Sequence, residues 1–203
     1  MLDKQTVEEM CKALATEHPG WEYSNKAFKN KSLKYVTKVI DFGWSYSALS
    51  SSFQPLVGVS HKKICQLYKK LFGVATGWNS GDMLYQIVPE YRGFSFFTDY
   101  TKPGHDYDYM NQLIRQVFAR GIQEMDRIYD FSSEENLISS FPMELHLQGA
   151  TKYCLGRAYV GDFDFVRQYR LRKLEGVDCS YPMFEKSIDK IVEHFNIPMG
   201  NLG

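Results

Sequence analysis

Apolar positions change their spacing along this chain, from alternation in the first half to helical recurrence in the second. Val36, Lys38, Ile40 and Phe42 fall on one side of an extended segment, and Tyr35, Thr37, Val39 and Asp41 on the other. Neither side is wholly apolar, which predicts a strand with one core face and one solvated face carrying lysine. Phe53, Pro55, Val57 and Val59 alternate as a second strand, with Pro55 favouring an edge or a bulge. The serine-rich run SYSALSSS between them predicts a turn. Ser60 is then expected to cap a helix whose apolar stripe is Ile64, Leu67, Tyr68, Leu71 and Phe72, with Gly73 just past its end. That helix is expected to lie on the sheet.

The flanks extend the pattern. Thr6 and Glu9 have capping-box spacing, and Val7, Met10, Cys11 and Leu14 recur helically, so a helix is predicted over Thr6 to His18, stopped by Pro19 and Gly20. Trp21, Tyr23 and Phe28 predict a short strand entering a hairpin, with its turn at Asn30 to Ser32. After Gly73, GWNSGD reads as a turn, and MLYQIV and FSFFTDY as strand-like runs that complete an antiparallel sheet of four or five strands. From Asp106 the period is helical, with Met110, Ile114, Val117, Phe118, Ile122 and Met125 on one face of a long helix. Ser132 and Glu135 open a short helix that Pro142 ends, and helical pieces punctuated by Gly161, Gly176 and Pro182 follow, the last from Tyr181 to Phe195. Strands early and helices late make the class α+β: one globular domain over 1–203, mainly sheet with two helices over 1–104 and helical over 105–203.

Composition narrows the class further. A chain of 203 residues that is 44% hydrophobic and 15% aromatic can bury one full core. Its 24 acidic and 24 basic side chains cancel, so no overall field draws it to nucleic acid or anionic lipid. MLDKQTVEEM has acidic residues and no long apolar run, unlike a secretory signal, and no stretch approaches the roughly 18 apolar residues of a membrane helix. The expectation is a soluble, cytoplasmic protein. Cys11, Cys65, Cys154 and Cys179 are far apart and read as buried reduced thiols.

No phosphate loop, dinucleotide fingerprint, nucleophile elbow or zinc-protease motif is present, which removes the commonest nucleotide, hydrolase and metalloprotease routes. The histidines stand singly, and no metal or cofactor is expected. His105 with Asp106 and Asp108 has the composition of a proton relay, but acidic residues also suit a helix start. His61 stands four residues before Cys65 among Lys62, Lys63, Lys69 and Lys70, a setting that lowers a thiol pKa; burial of Cys65 beside Ile64 is the simpler reading.

Charge is unevenly placed. Between Trp21 and Phe72, Lys26, Lys29, Lys31, Lys34, Lys38, Lys62, Lys63, Lys69 and Lys70 stand against only Glu22 and Asp41. Solvation and protection of sheet edges explain such lysines; phosphate binding is the alternative. From Asp106 to Glu135 the balance reverses, and Asp126, Asp130, Glu134 and Glu135 form an acidic junction suited to a cationic protein partner.

Residues 153–163, YCLGRAYVGDF, resemble one tetratricopeptide repeat through Leu155, Gly156, Ala158, Tyr159, Gly161, Asp162 and Phe163. Because the pattern does not recur, it implies a single helical hairpin and not a solenoid. The wider layout is an N-terminal helix, Trp21 with Phe28 and Lys29, a strand pair ending in Val57 and Val59, the Ser60 helix and the late hairpin. It resembles bacterial toxin-immunity proteins of the contact-dependent growth inhibition type and related families. The resemblance transfers no functional residue. It implies a non-enzymatic inhibitor that binds and blocks a cognate protein toxin, often a basic nuclease domain; the candidate partner-binding residues, Asp126, Asp130, Glu134 and Glu135, come from the charge pattern. An enzyme using His61 and Cys65 or His105 and Asp108, and an RNA-binding module using the lysines between Lys26 and Lys70, are the alternatives.

Overall fold

A computed structural model describes residues 3–91, 96–142, 147–174 and 182–199. In chain order the elements are helix α1 (Lys4–Thr16), strands β1 (Trp21–Ser24), β2 (Ala27–Asn30), β3 (Val36–Asp41), β4 (Ser45–Tyr46), β5 (Ser50–Ser52) and β6 (Leu56–His61), helix α2 (Lys62–Phe72), strand β7 (Ser80–Met83), helix α3 (Leu84–Ile87), strand β8 (Phe97–Asp99), and helices α4 (Tyr107–Ile128), α5 (Glu134–Ser139), α6 (Leu147–Tyr159), α7 (Phe163–Arg170) and α8 (Pro182–Phe195). The class is α+β. His146, Gly176, Cys179 and Tyr181, and the start of the FSFFTDY run, lie outside the described residues.

Two compact units share the chain: Met1–Ser60 with Gly81–Arg127, and His61–Ser80 with Ile128–Gly203. The sheet-rich stretch 1–104 and the helical stretch 105–203 each contribute to both. Among the described residues, no helix is long and apolar enough to cross a membrane.

In the first unit, α1 begins before Thr6 because Asp3 is its cap, accepting from the Thr6 N–H at 2.8 Å. That bond holds the Asp3 carboxyl below its ordinary value. β1 and β2 form a hairpin with Tyr23 opposite Phe28. Its two-residue turn is Asn25-Lys26, both at positive φ (51° and 65°), the geometry that matches strand twist. The turn expected at Asn30 to Ser32 also exists, as the link to β3, with Asn30 Oδ1 accepting from the Ser32 N–H at 3.0 Å.

The main sheet has the order β1-β2-β3-β6-β7. On β3 the face that carries Lys38 also holds the buried Val36, Ile40 and Phe42, which corrects the expectation that lysine marks a solvated face; Val39 on the opposite side is buried as well. Lys38 is accommodated there because its long stem lets Nζ reach Asp126 Oδ1 at 3.2 Å. Helix α4 approaches so closely that a Cβ on Gly121 would sit 2.9 Å from Ile40 Cδ1. Phe118 of α4 is fully buried among Phe28, Trp21 and His18, with ring centroids 4.5, 5.3 and 4.9 Å away.

SYSALSSS is more than a turn: its ends form β4 and β5, and β8 joins them in a separate sheet of order β4-β5-β8. FTD therefore does not extend the main sheet. Aromatic stacking over this small sheet explains the choice, with Phe53 at 4.5 Å from Trp44, 5.3 Å from Phe42 and 5.0 Å from Phe96. The MLYQIV run gives only its first residue to β7 and then turns into α3, where the Leu84 N–H donates to the Pro55 carbonyl at 2.8 Å.

Ser51 and Thr98 face each other across β5 and β8, both buried, and neither hydroxyl has a hydrogen-bond partner among the described residues. Thr98→Val keeps the branched shape and removes one unsatisfied group. It is expected to raise stability by about 1 kcal/mol, read from denaturant midpoints.

In the second unit, α2 packs against α6 and α8. A Cβ on Gly156 of α6 would lie 3.1 Å from Ile138 Cγ2 and 3.7 Å from Ile64 Cδ1, so a larger residue there would have to push Ile138 aside where α2, α5 and α6 meet. The hairpin expected from the repeat-like motif is present as α6 and α7, with Asp162 capping α7 by accepting from the Phe165 N–H at 3.2 Å. Val166 is fully buried in it. Arg170 ties α7 to α8 through Asp189 at 2.6 Å.

Candidate functional site

The β6–α2 junction gathers the second unit's polar side chains. Ser60 stays in the strand, and His61 takes the cap position instead, its Nδ1 accepting from the Ile64 N–H at 3.3 Å. An Nδ1 that accepts must be unprotonated, so the ring carries its hydrogen on Nε2. That N–H donates to Glu134 Oε1 at 2.8 Å. The same oxygen accepts from the Tyr159 hydroxyl at 3.0 Å, and the Tyr159 ring stands at 5.4 Å from the imidazole. One carboxylate thus joins the start of α2, the start of α5 and the end of α6.

His61 has no accessible surface. Burial pushes its pKa below the ordinary value, and the hydrogen bond to Glu134 opposes that push without reversing it. At neutral pH the ring is neutral and fixed in one tautomer. Contact with the Tyr159 hydroxyl raises the Lys63 pKa, and Lys63 Nζ lies over the Tyr159 ring at 5.7 Å.

Asn79 completes the group. It is buried in the GWNSGD turn, and its Oδ1 accepts from both the His61 backbone N–H and the Cys65 thiol, the latter at 3.2 Å. His61 and Cys65 are therefore linked through Asn79, with both imidazole nitrogens engaged elsewhere. The Cys65 thiol thus donates to an amide oxygen. Cys11 and Cys154 are buried, and burial pushes the Cys11 thiol up to about 12.

The four carboxylates of the acidic junction have different partners. Asp126 belongs to the first unit and pairs with Lys38. Asp130 closes its own turn, accepting from the Ser132 N–H at 2.9 Å, and that bond with the Ser132 side chain holds its carboxyl below the usual range. Glu134 is turned inward to His61 and Tyr159. Glu135 is exposed in the first turn of α5, whose cap is Ser133 in place of Ser132. Nearby Glu124 is buried between Arg120 at 3.1 Å and Arg127 at 2.7 Å.

The His105 group lies at the start of α4 and borders a cavity lined also by Tyr100, Lys102 and Tyr107. His105 Nδ1 accepts from the Asp99 N–H at 3.2 Å with its ring stacked on Tyr109, and Asp106 accepts from the Tyr109 N–H at 3.1 Å as a helix start requires. Among the described residues, no three His, Cys, Asp or Glu side chains are grouped to hold a metal ion.

Sequence reasoning finds His61, Cys65 and Glu134 but not their arrangement, and it misses Asn79 and Tyr159 as members. Burial of an asparagine inside a polar turn leaves no periodic signal. In comparisons with protein-family models, with curated proteins and with solved structures, no match was found.

Proposed function

We propose that this chain is a non-enzymatic cytoplasmic binding protein of the immunity type, which neutralises a partner protein toxin by covering it. The supporting observation is the state of His61. The side chain best suited to acid–base chemistry is sealed from solvent, neutral and locked between Ile64 N–H and Glu134. It works as a joint between helices, leaving function to side chains displayed on the surface. Of the acidic group, Asp126, Asp130 and Glu135 are exposed; Glu134 is spent internally. Exposed carboxylates steer and orient a cationic partner, such as a basic nuclease domain.

The test is co-expression with the product of the adjacent gene. Co-purification and relief of toxicity are expected, and Asp130→Arg with Glu135→Arg is expected to weaken binding about tenfold while the fold survives. No partner, or a partner indifferent to both reversals, refutes the reading.

A further inference from the structure

Helix α2, KKICQLYKKLF, carries Lys62, Lys63, Lys69 and Lys70 and no acidic residue. All four lysines and Gln66 are exposed, and their spacing places them along one side of the helix. Lys69 and Lys70 in the last turn suit the helix dipole. Lys62 and Lys63 occupy the first turn, where the dipole disfavours cations and where α2 has no acidic residue to compensate. Other helices balance their charges internally: Lys4 with Glu8 on α1, Arg120 and Arg127 with Glu124 on α4, Arg167 with Asp164 on α7. Among the described residues, none of the four α2 lysines takes part in an ion pair.

Beside this row lies a shallow depression of about 370 Å³ lined by Lys63, Gln66, Leu67, Lys70 and Tyr159. Half-buried Leu67 and Tyr159 give it an apolar floor, and two lysines stand at its rim. We infer that this face of α2 docks an acidic, amphipathic segment of another protein, seating one apolar side chain against Leu67 and Tyr159 while its carboxylates meet Lys62, Lys63, Lys69 and Lys70. Charge complementarity selects an anionic occupant. The floor selects peptide over nucleic acid, because it pairs an aliphatic side chain, Leu67, with a single aromatic ring, Tyr159, and so suits one apolar side chain better than a run of stacked bases. This surface is distinct from Asp130 and Glu135 and does not depend on the partner's being a toxin.

The test is fluorescence anisotropy on the full chain with three labelled probes: a helical peptide with glutamates on one face and leucine and phenylalanine on the other, an all-glutamate peptide of equal charge, and a single-stranded oligonucleotide of equal charge. The amphipathic peptide is expected to bind at least about tenfold tighter than either alternative, and Lys63→Glu with Lys70→Glu to weaken it about tenfold or more. Lys62→Glu with Lys69→Glu, away from Tyr159, is expected to act in the same direction and serves if the first pair unfolds the helix. Absence of peptide binding overturns the inference. So does equal binding of the all-glutamate peptide, tighter binding of the oligonucleotide, or a folded variant that binds as the unaltered protein does.

Discussion

Phe118→Ala is expected to destabilise the first unit by about 4 kcal/mol, as truncation of a fully buried aromatic does. The ring is fully buried and is the point where α1's exit, the β1–β2 hairpin and α4 converge, through His18, Trp21 and Phe28. Phe28 passes the contact on to Phe42 at 5.4 Å, so the cavity left by alanine opens in the middle of a continuous aromatic core. Collapse is obstructed by Gly121, one helical turn along, where Ile40 already presses against the α4 backbone. The neighbours cannot fill the space without lifting the helix. Urea unfolding followed by tryptophan fluorescence reads the loss, since Trp21 touches the deleted ring. A change smaller than about 1 kcal/mol would show that the ring cluster is not the core that the burial pattern describes.

What the sequence discloses and what it hides follow from the range of the interactions. Helix α4 is legible because Met110, Ile114, Val117, Phe118 and Met125 repeat at helical spacing and are all buried. The ends of helices are less so, since several oxygens and nitrogens compete to cap them. Asp3 wins over Thr6, His61 over Ser60 and Ser133 over Ser132, each by a local bond that no periodicity encodes. The β4–β5–β8 sheet is invisible in SYSALSSS because β8 and Phe96, which meet β5 and the flanking Phe53, come from a distant part of the chain. The site has the same limitation. Glu134 reads as one acidic residue of a surface cluster until the chain folds 73 positions back to set it against His61. The lysines divide in a similar way. Edge protection fits those on the strands, but Lys62, Lys63, Lys69 and Lys70 ride on a helix of the second unit.

The other large effect is expected at Glu134. Glu134→Ala removes the acceptor shared by His61 Nε2–H and the Tyr159 hydroxyl. His61 has no accessible surface, so its Nε2–H loses the carboxylate acceptor without water to replace it. A loss of about 3 kcal/mol is expected, whereas Glu134→Gln keeps an oxygen in place and is expected to cost about 1 kcal/mol. The same geometry fixes a pH dependence. Burial holds the folded pKa of His61 below its ordinary 6.5, so between the two values the unfolded chain binds a proton that the folded chain refuses. The contribution is fully present above about pH 7 and falls as pH drops through 6.5 toward the lower folded value. Because Glu134 opposes the downward shift, Glu134→Gln lowers the folded value further and extends the acid-sensitive range. His61→Asn retains a capping side chain but has no group that titrates here, and is expected to lose this slope. Comparing its denaturant midpoints with those of the unaltered protein at about pH 7.5 and about pH 5.5 isolates the effect, because the carboxylates held low by hydrogen bonds, Asp3, Asp99 and Asp130, lose their contribution only in stronger acid. An identical slope in the two proteins would mean that protons reach the imidazole freely in the folded state, and that His61 is not the sealed joint on which the proposed function rests.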